Sequence, residues 1–259
     1  MNLHFYKFQG AGNDFIVIDN RKKVFDSKND KLIEFLCHRR FGIGADGLIL
    51  LEEVDGFDFR MVFFNLDGKE ASMCGNGGRC IVAFARKMGL IDTTARFLAS
   101  DGIHEAKIDA EGLVDLHMID VKKIEKFSDG YFLNTGVPHF VRFVDDLKAI
   151  DVNNDGRQLR FDKRFQPEGS NINFVMIEND HLAVYTYERG VEAETLACGT
   201  GITASALSAA VKQNREEGEY NITAKGGQLR VRFKHFSNQF SDVWLKGPAT
   251  LVYEGAIEI

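Results

Sequence analysis

The sequence predicts an α/β protein of the α+β type, organised as two pseudo-symmetric domains, each a strand-rich, barrel-like sheet around a central buried helix. Three observations predict it. The segment Met73-Cys74-Gly75-Asn76-Gly77-Gly78-Arg79 recurs in outline as Ala197-Cys198-Gly199-Thr200-Gly201, 124 residues later in a chain of 259. Each Cys-Gly-X-Gly turn opens onto an apolar, small-residue run with helical spacing. Around both lie short strand-like runs punctuated by Gly, Asn and Asp.

The elements follow in order. Gly10-Ala11-Gly12-Asn13-Asp14 is a turn feeding the strand Phe15 to Asp19. A surface helix is expected over Asp26 to Arg40, capped by Ser27 or Asn29, with Leu32, Phe35 and Leu36 on one face and Gly42 ending it. Leu48 to Leu51 and Phe57 to Phe64 read as strands joined at Asp55-Gly56, and Asn65-Leu66-Asp67-Gly68 closes the second. Ile81, Val82, Phe84, Ala85 and Met88 have helical spacing, and Gly89 suits the C′ position. Nearly every position of that run is apolar or small, so burial on all sides is expected. Thr94 to Met118 carries short strands.

The polar stretch Asp120 to Gly130 is the best candidate boundary, dividing residues 1–118 from 119–248. Beyond it the plan restarts. Gly136-Val137-Pro138-His139-Phe140-Val141 echoes the first Gly turn and strand, and a helical segment follows around Asp155 to Phe165. Strands are expected over Asn173 to Glu178 and Leu182 to Tyr187. Ile202, Ala204, Leu207, Ala210 and Val211 mark the second buried helix, and Tyr220 to Ile259 is strand-like again.

Composition narrows the function. A formal charge of −6, with no run of Lys or Arg, argues against a nucleic-acid or anionic-membrane surface. The first eight residues lack the basic and apolar regions of a secretion signal, and no stretch approaches the ~20 apolar residues of a membrane span. A soluble cytoplasmic protein is expected, with Cys37, Cys74, Cys80 and Cys198 reduced. The spacing of Cys74 and Cys80 does not fit a zinc site, and no CxxC is present, so no metal is expected.

A cysteine at a helix N-terminus is favoured as thiolate by the backbone N–H groups and the helix dipole. Glycines let the same N–H groups approach an anion such as a carboxylate. Two such cysteines suit proton removal from one face of a carbon next to a carboxylate, with return to the other face. Mutual repulsion would make the pair share one negative charge, and developing charge on the carboxylate oxygens would meet the N–H groups. No cofactor is needed in principle. Cys37 and Cys80 read instead as small buried hydrophobes. Glu188-Arg189, at the end of a strand, could hold an ammonium and a carboxylate, and Asn13, Asn65 and Asn173 are each expected at a strand end.

Together, the Gly10–Phe15 turn, the two cysteine motifs and Tyr187-Glu188-Arg189-Gly190 resemble the diaminopimelate epimerase family, essentially from end to end. The resemblance implies cofactor-independent interconversion of LL- and meso-2,6-diaminopimelate, on the route to lysine and peptidoglycan precursors. It implies two barrel-like domains with the active site between them, the last strand (residues 249–259) returning to the first domain, and a homodimer. It implies that Cys74 and Cys198 are the catalytic bases and that His139 and Glu188 tune protonation. Substrate contacts are implied for Asn13, Asn65, Gly75, Asn76, Asn173, Glu188, Arg189, Gly199 and Thr200. Two positions depart from the family pattern: Val137 stands where many members have asparagine, and Gly47 where many have glutamine. Both bear on fine substrate preference. The alternatives are a related two-cysteine racemase acting on another amino acid, proline racemase-like, and a non-enzymatic thiol- or metal-binding protein.

Overall fold

A computed structural model describes residues 2–259. Its contacts cluster into two units, residues 2–116 with 247–259, and residues 117–246.

In the first unit the strands are β1 (Asn2–Gly10), β2 (Asn13–Asp19), β3 (Gly47–Glu52), β4 (Arg60–Asn65), β5 (Glu70–Ala71), β6 (Thr94–Ala99), β7 (Gly102–Ile108) and β8 (Val114–His117). The C-terminal strand Thr250–Glu258 pairs antiparallel with β1 and so begins the order, which then runs β1, β2, β3, β4, β6, β7, β8. The β2–β3 and β4–β6 pairs are parallel; the rest are antiparallel.

The helix α2 (Gly75–Lys87) packs against β1, β2, β3, β4, β7 and the C-terminal strand, so the sheet curves around it. The other face is covered by α1 (Asp30–Cys37): Ile33 and Leu36 join Ile16, Ile18, Leu48, Leu50, Val62 and Phe64 in one core. β3 is buried along its whole length because both its faces are covered, which is why Leu48 to Leu51 reads as an unbroken apolar run.

The second unit repeats this plan. Its strands are β9 (Ile124–Phe127), β10 (Gly130–Asn134), β11 (Pro138–Phe143), β12 (Asn171–Glu178), β13 (His181–Glu188), β14 (Ala193–Thr195), β15 (Glu217–Ala224), β16 (Gly227–Phe236) and β17 (Gln239–Gly247). Their order is β9, β10, β11, β12, β13, β15, β16, β17, with parallel pairs only at β11–β12 and β13–β15. The sequence of parallel and antiparallel steps is that of the first unit. The helix α4 (Gly199–Gln213) packs against β10, β11, β12, β13, β15 and β16. The outer helix α3 (Val152–Arg160) contributes Val152 and Leu159 to a core with Phe140, Ile172, Phe174 and Tyr187.

Several local expectations need correction. The first surface helix spans only Asp30–Cys37, capped by the Asn29 side chain on Leu32 N–H. It stops early because Ile43 and Gly44 N–H return to the Leu36 carbonyl and Ala45 N–H to that of Cys37. Gly42 permits the fold-back: a Cβ there would lie 2.0 Å from the Phe35 carbonyl oxygen. Phe35 points outward, 43% exposed, because Ile33, Leu36 and Cys37 form the buried face of the helix. The polar stretch Asp120 to Gly130, read as the boundary, contains β9, and the division between the units falls just before it, between residues 116 and 117. The second outer helix begins earlier than expected, at Val152, and a separate 3₁₀ turn covers Lys163–Phe165. Among the described residues no helix is long and apolar enough to cross a membrane.

Candidate active site

Cys74 and Cys198 are the N-caps of α2 and α4, both in extended backbone conformation, φ/ψ −97°/135° and −107°/112°. Neither cysteine side chain bonds back to its helix as a cap. In each helix the first intrahelical bond runs to the cysteine carbonyl, from Gly78 N–H in α2 and Ile202 N–H in α4. The helices therefore start at the cysteines, and the glycines that look like a turn in sequence are helical.

In the first unit, Cys74 Sγ lies 3.7 Å from Asn13 Oδ1, and Asn76 Nδ2 donates to the same oxygen at 3.2 Å. Asn13 begins β2, and its Nδ2 donates to Asp46 Oδ2 at 2.7 Å. Asp46 in turn pairs with Arg39, which also pairs with Asp14 beside Lys7. Burial alone would raise the Asp14 carboxyl, but hydrogen bonds from Arg39 and Lys7 outweigh it and hold the group at about 2. Asn65 ends β4 directly across from Gly47, which pairs on its other side with Phe15. The volume beside Gly47 is filled: a Cβ would meet Phe63 Cε2 and the Phe64 carbonyl oxygen, each at 2.6 Å. Phe63 thus occupies the space a side chain at position 47 would need.

The second unit builds around His139, which is fully buried on β11. Asn173 Nδ2 donates to the Phe140 carbonyl at 3.3 Å and to His139 Nδ1 at 3.0 Å, while Asn173 Oδ1 accepts from the Thr186 hydroxyl at 3.0 Å. Since Nδ1 accepts, the neutral ring carries its proton on Nε2, which donates to its nearer neighbour Thr200 Oγ1 at 2.9 Å, with Asn171 Nδ2 farther off at 3.4 Å. The Thr200 hydroxyl then faces Cys198 Sγ at 3.3 Å. Burial, helped by the Arg189 charge, pushes the imidazolium pKa down to about 3, so the ring is neutral at physiological pH. Gly201 makes room for this chain, because a Cβ there would stand 2.4 Å from Asn173 Oδ1.

Asn171 extends the same cluster: it sits beside His139 in the parallel register and accepts Arg189 N–H at 2.7 Å. Glu188 is the last residue of β13, and the Arg189 guanidinium donates to the Glu168 carbonyl at 3.1 Å. Asn173 is a correction. It is the third residue of β12, wholly buried, and not at a strand end.

The structure thus joins Cys74, Asn13 and Asn76 in one unit, and Cys198, Thr200, His139 and Asn173 in the other. Asp46 and Asn171, beside or at strand ends, resemble turn residues in sequence, and Thr186 resembles an ordinary strand residue inside β13. Arg79 lies inside the first cysteine motif, yet nothing in sequence reveals that it is wholly buried. Cys37 and Cys80 are buried as expected, and burial pushes both thiols up to about 12. None of the four cysteines forms a disulfide. Among the described residues no cluster of His, Cys, Asp or Glu could hold a metal ion.

The sequence profile described as Diaminopimelate epimerase matches residues 5–124 and 131–252. The diaminopimelate epimerase of Flavobacterium psychrophilum is 46% identical over 256 residues, covering 98% of this chain and 100% of that one. That of Aquifex aeolicus is 39% identical over 274 residues, covering 98% of each. Among solved structures, a PhzF-family phenazine biosynthesis protein from Bacillus anthracis superposes with TM-score 0.78 at 14% identity, over 100% of both chains. A hydroxyproline epimerase from Agrobacterium vitis superposes with TM-score 0.71 at 15% identity, over 99% of this chain and 92% of that one. Those two likenesses concern the fold.

Proposed function

Because the chain belongs to the diaminopimelate epimerase family, we propose that it interconverts LL- and meso-2,6-diaminopimelate with Cys74 and Cys198 as its two bases. The observation that carries this reading is the equivalent placement of the two cysteines, each capping a glycine-opened buried helix.

In the substrate complex one cysteine is thiolate and the other thiol. The thiolate removes the Cα proton, and the thiol delivers its own proton to the opposite face, inverting the centre. At the end the two sulfurs have exchanged protonation states, and the net charge is unchanged. The carbanion is delocalised into the adjacent carboxylate. First-turn N–H groups of α2 and α4, at Gly75-Asn76 and Gly199-Thr200, would stabilise that charge. Asn13, Asn65, Asn173, Glu188 and Arg189 would hold the zwitterionic substrate, and His139 and Glu188 would set the protonation of the pair. The enzyme would act as a cytoplasmic homodimer supplying lysine and peptidoglycan precursors.

The test is turnover of LL-diaminopimelate by purified protein without added cofactor, followed by chiral separation. Meso product is expected, and it should disappear in Cys74→Ala and Cys198→Ala. Activity on proline instead would favour the related racemase, and activity surviving either substitution would remove the two-base mechanism.

A further inference from the structure

A polar chain in the first unit runs from Arg79 through the Asn76 and Asn13 side chains to Asp46, and its two ends, Arg79 and Asp46, have no part in the chemistry above. Arg79 is fully buried and donates to Asn76 Oδ1 at 2.9 Å, the Gly75 carbonyl at 3.2 Å and the Pro248 carbonyl at 3.3 Å. A guanidinium only donates, so Asn76 must turn its oxygen toward Arg79 and its nitrogen toward Asn13. At the other end the Asp46 carboxylate, paired with Arg39, accepts. Asn13 must therefore turn its nitrogen toward Asp46 and its oxygen toward Cys74 and Asn76. The two ends independently demand one orientation of both amides. A reversed Asn13 amide would set its nitrogen against the Asn76 nitrogen and its oxygen against a carboxylate.

We propose that Asp46 and Arg79 are positioning residues, which lock the Asn76–Asn13 pair so that the Asn13 carbonyl holds Cys74 as a hydrogen-bond donor, hence as the thiol, before substrate binds. The sulfur of Cys198 faces a hydroxyl that is itself supplied with a proton from His139, so the resting negative charge falls to Cys198. The inference rests on the two cysteines being the bases. It adds which of them waits as acid. The charged or titratable groups near Cys74 include Arg79 and Cys80 on α2, Asp46 through Asn13, and Asp101, which accepts Met73 N–H at 3.5 Å. Cys80 is held neutral by burial. Arg79 acts in the opposite sense on ionisation, lowering the cost of a Cys74 thiolate once the Asn13 contact is released.

The experiment reads single thiols in substrate-free protein, through ultraviolet thiolate absorbance and the Cβ carbon shift of labelled cysteine. Burial holds the Cys37 and Cys80 thiols up at about 12, so Cys198→Ser is used to read Cys74 and Cys74→Ser to read Cys198. Cys74 must titrate at the higher pH of the two, and the reverse order overturns the proposal without any further variant. Asp46→Asn, made in Cys198→Ser, removes the carboxylate that holds the Asn13 nitrogen and leaves Asn76 as the remaining partner that fixes the amide. The Cys74 pKa should then fall by about one unit, a tenfold gain in thiolate at a fixed lower pH. With Asn13→Ala present, Asp46→Asn should have no effect, as a coupled pair requires. An equal shift in both backgrounds, or none in either, would show that Asp46 does not act through Asn13. Arg39→Ala removes the Arg39–Asp46 pair but keeps the carboxylate, and should leave the Cys74 pKa in place. None of these measurements uses turnover, so failure of the epimerase assay and failure of this assignment are separate results.

Discussion

The Thr200 hydroxyl lies 3.3 Å from the Cys198 sulfur and 2.9 Å from His139 Nε2. With the imidazole proton committed to Thr200, the hydroxyl hydrogen is left for the sulfur. A donor to the charged form lowers a thiol pKa. Replacing Thr200 with Val should therefore raise the Cys198 pKa by about one unit and lower kcat/KM about tenfold, with the acid limb of the pH profile moving up. Titration of Cys198 in Cys74→Ser, with and without Thr200→Val, checks the direction.

His139 gives a stability prediction. Its pKa is about 3 in the folded protein, against 6.5 as the ordinary value, with burial as the main cause and the Arg189 charge as the lesser one. The unfolded chain binds this proton more readily, so stability is lost as pH falls through the window from 6.5 to about 3. The slope within that window is about 1.4 kcal/mol per pH unit. Denaturant unfolding at a series of pH values should show a shallower acid loss in His139→Gln than in the parent protein.

Gly201→Ala places a methyl group 2.4 Å from Asn173 Oδ1 and 3.3 Å from His139 Cε1. Overpacking of this kind costs about 1–3 kcal/mol. The displaced Asn173 also withdraws the donor that fixes the His139 tautomer. Activity should fall further than stability, which kinetics and thermal unfolding of one preparation will compare.

Cys37 and Cys80, both buried and both held near 12, should resist iodoacetamide at neutral pH until the protein unfolds. Peptide mapping after native alkylation checks this. Cys80→Ala should retain epimerisation while losing about 1 kcal/mol of stability.

Much of this was legible in the sequence where local pattern and tertiary role coincide. The cysteine-glycine echoes stand out because a helix buried on all sides must be apolar or small throughout, as in α2 and α4. Gly89 has positive φ after α2, as its C′ position requires. Sequence fails where register decides. Phe35 matches the helical spacing of Leu32 and Leu36, but the face that packs inward is centred on Ile33, Leu36 and Cys37, which leaves Phe35 outside the core. Asn173 resembles a turn residue until pairing of β11 with β12 carries it inside, two residues along from Asn171, which sits beside His139. Arg79 and Asp46 are 33 residues apart and meet only through two intervening amides, so no window along the chain could connect them.

The central claim is that two different thiols handle the departing and arriving protons. The direct measurement is epimerisation in heavy water, sampled early from either isomer, with mass analysis of substrate and product separately. Two bases predict solvent deuterium at Cα of the product from the first turnovers, while recovered substrate stays unlabelled because its own proton returns from the thiol that took it. Deuterium entering recovered substrate as fast as product, or product retaining the original hydrogen, would indicate one base serving both faces and would contradict the roles given to Cys74 and Cys198.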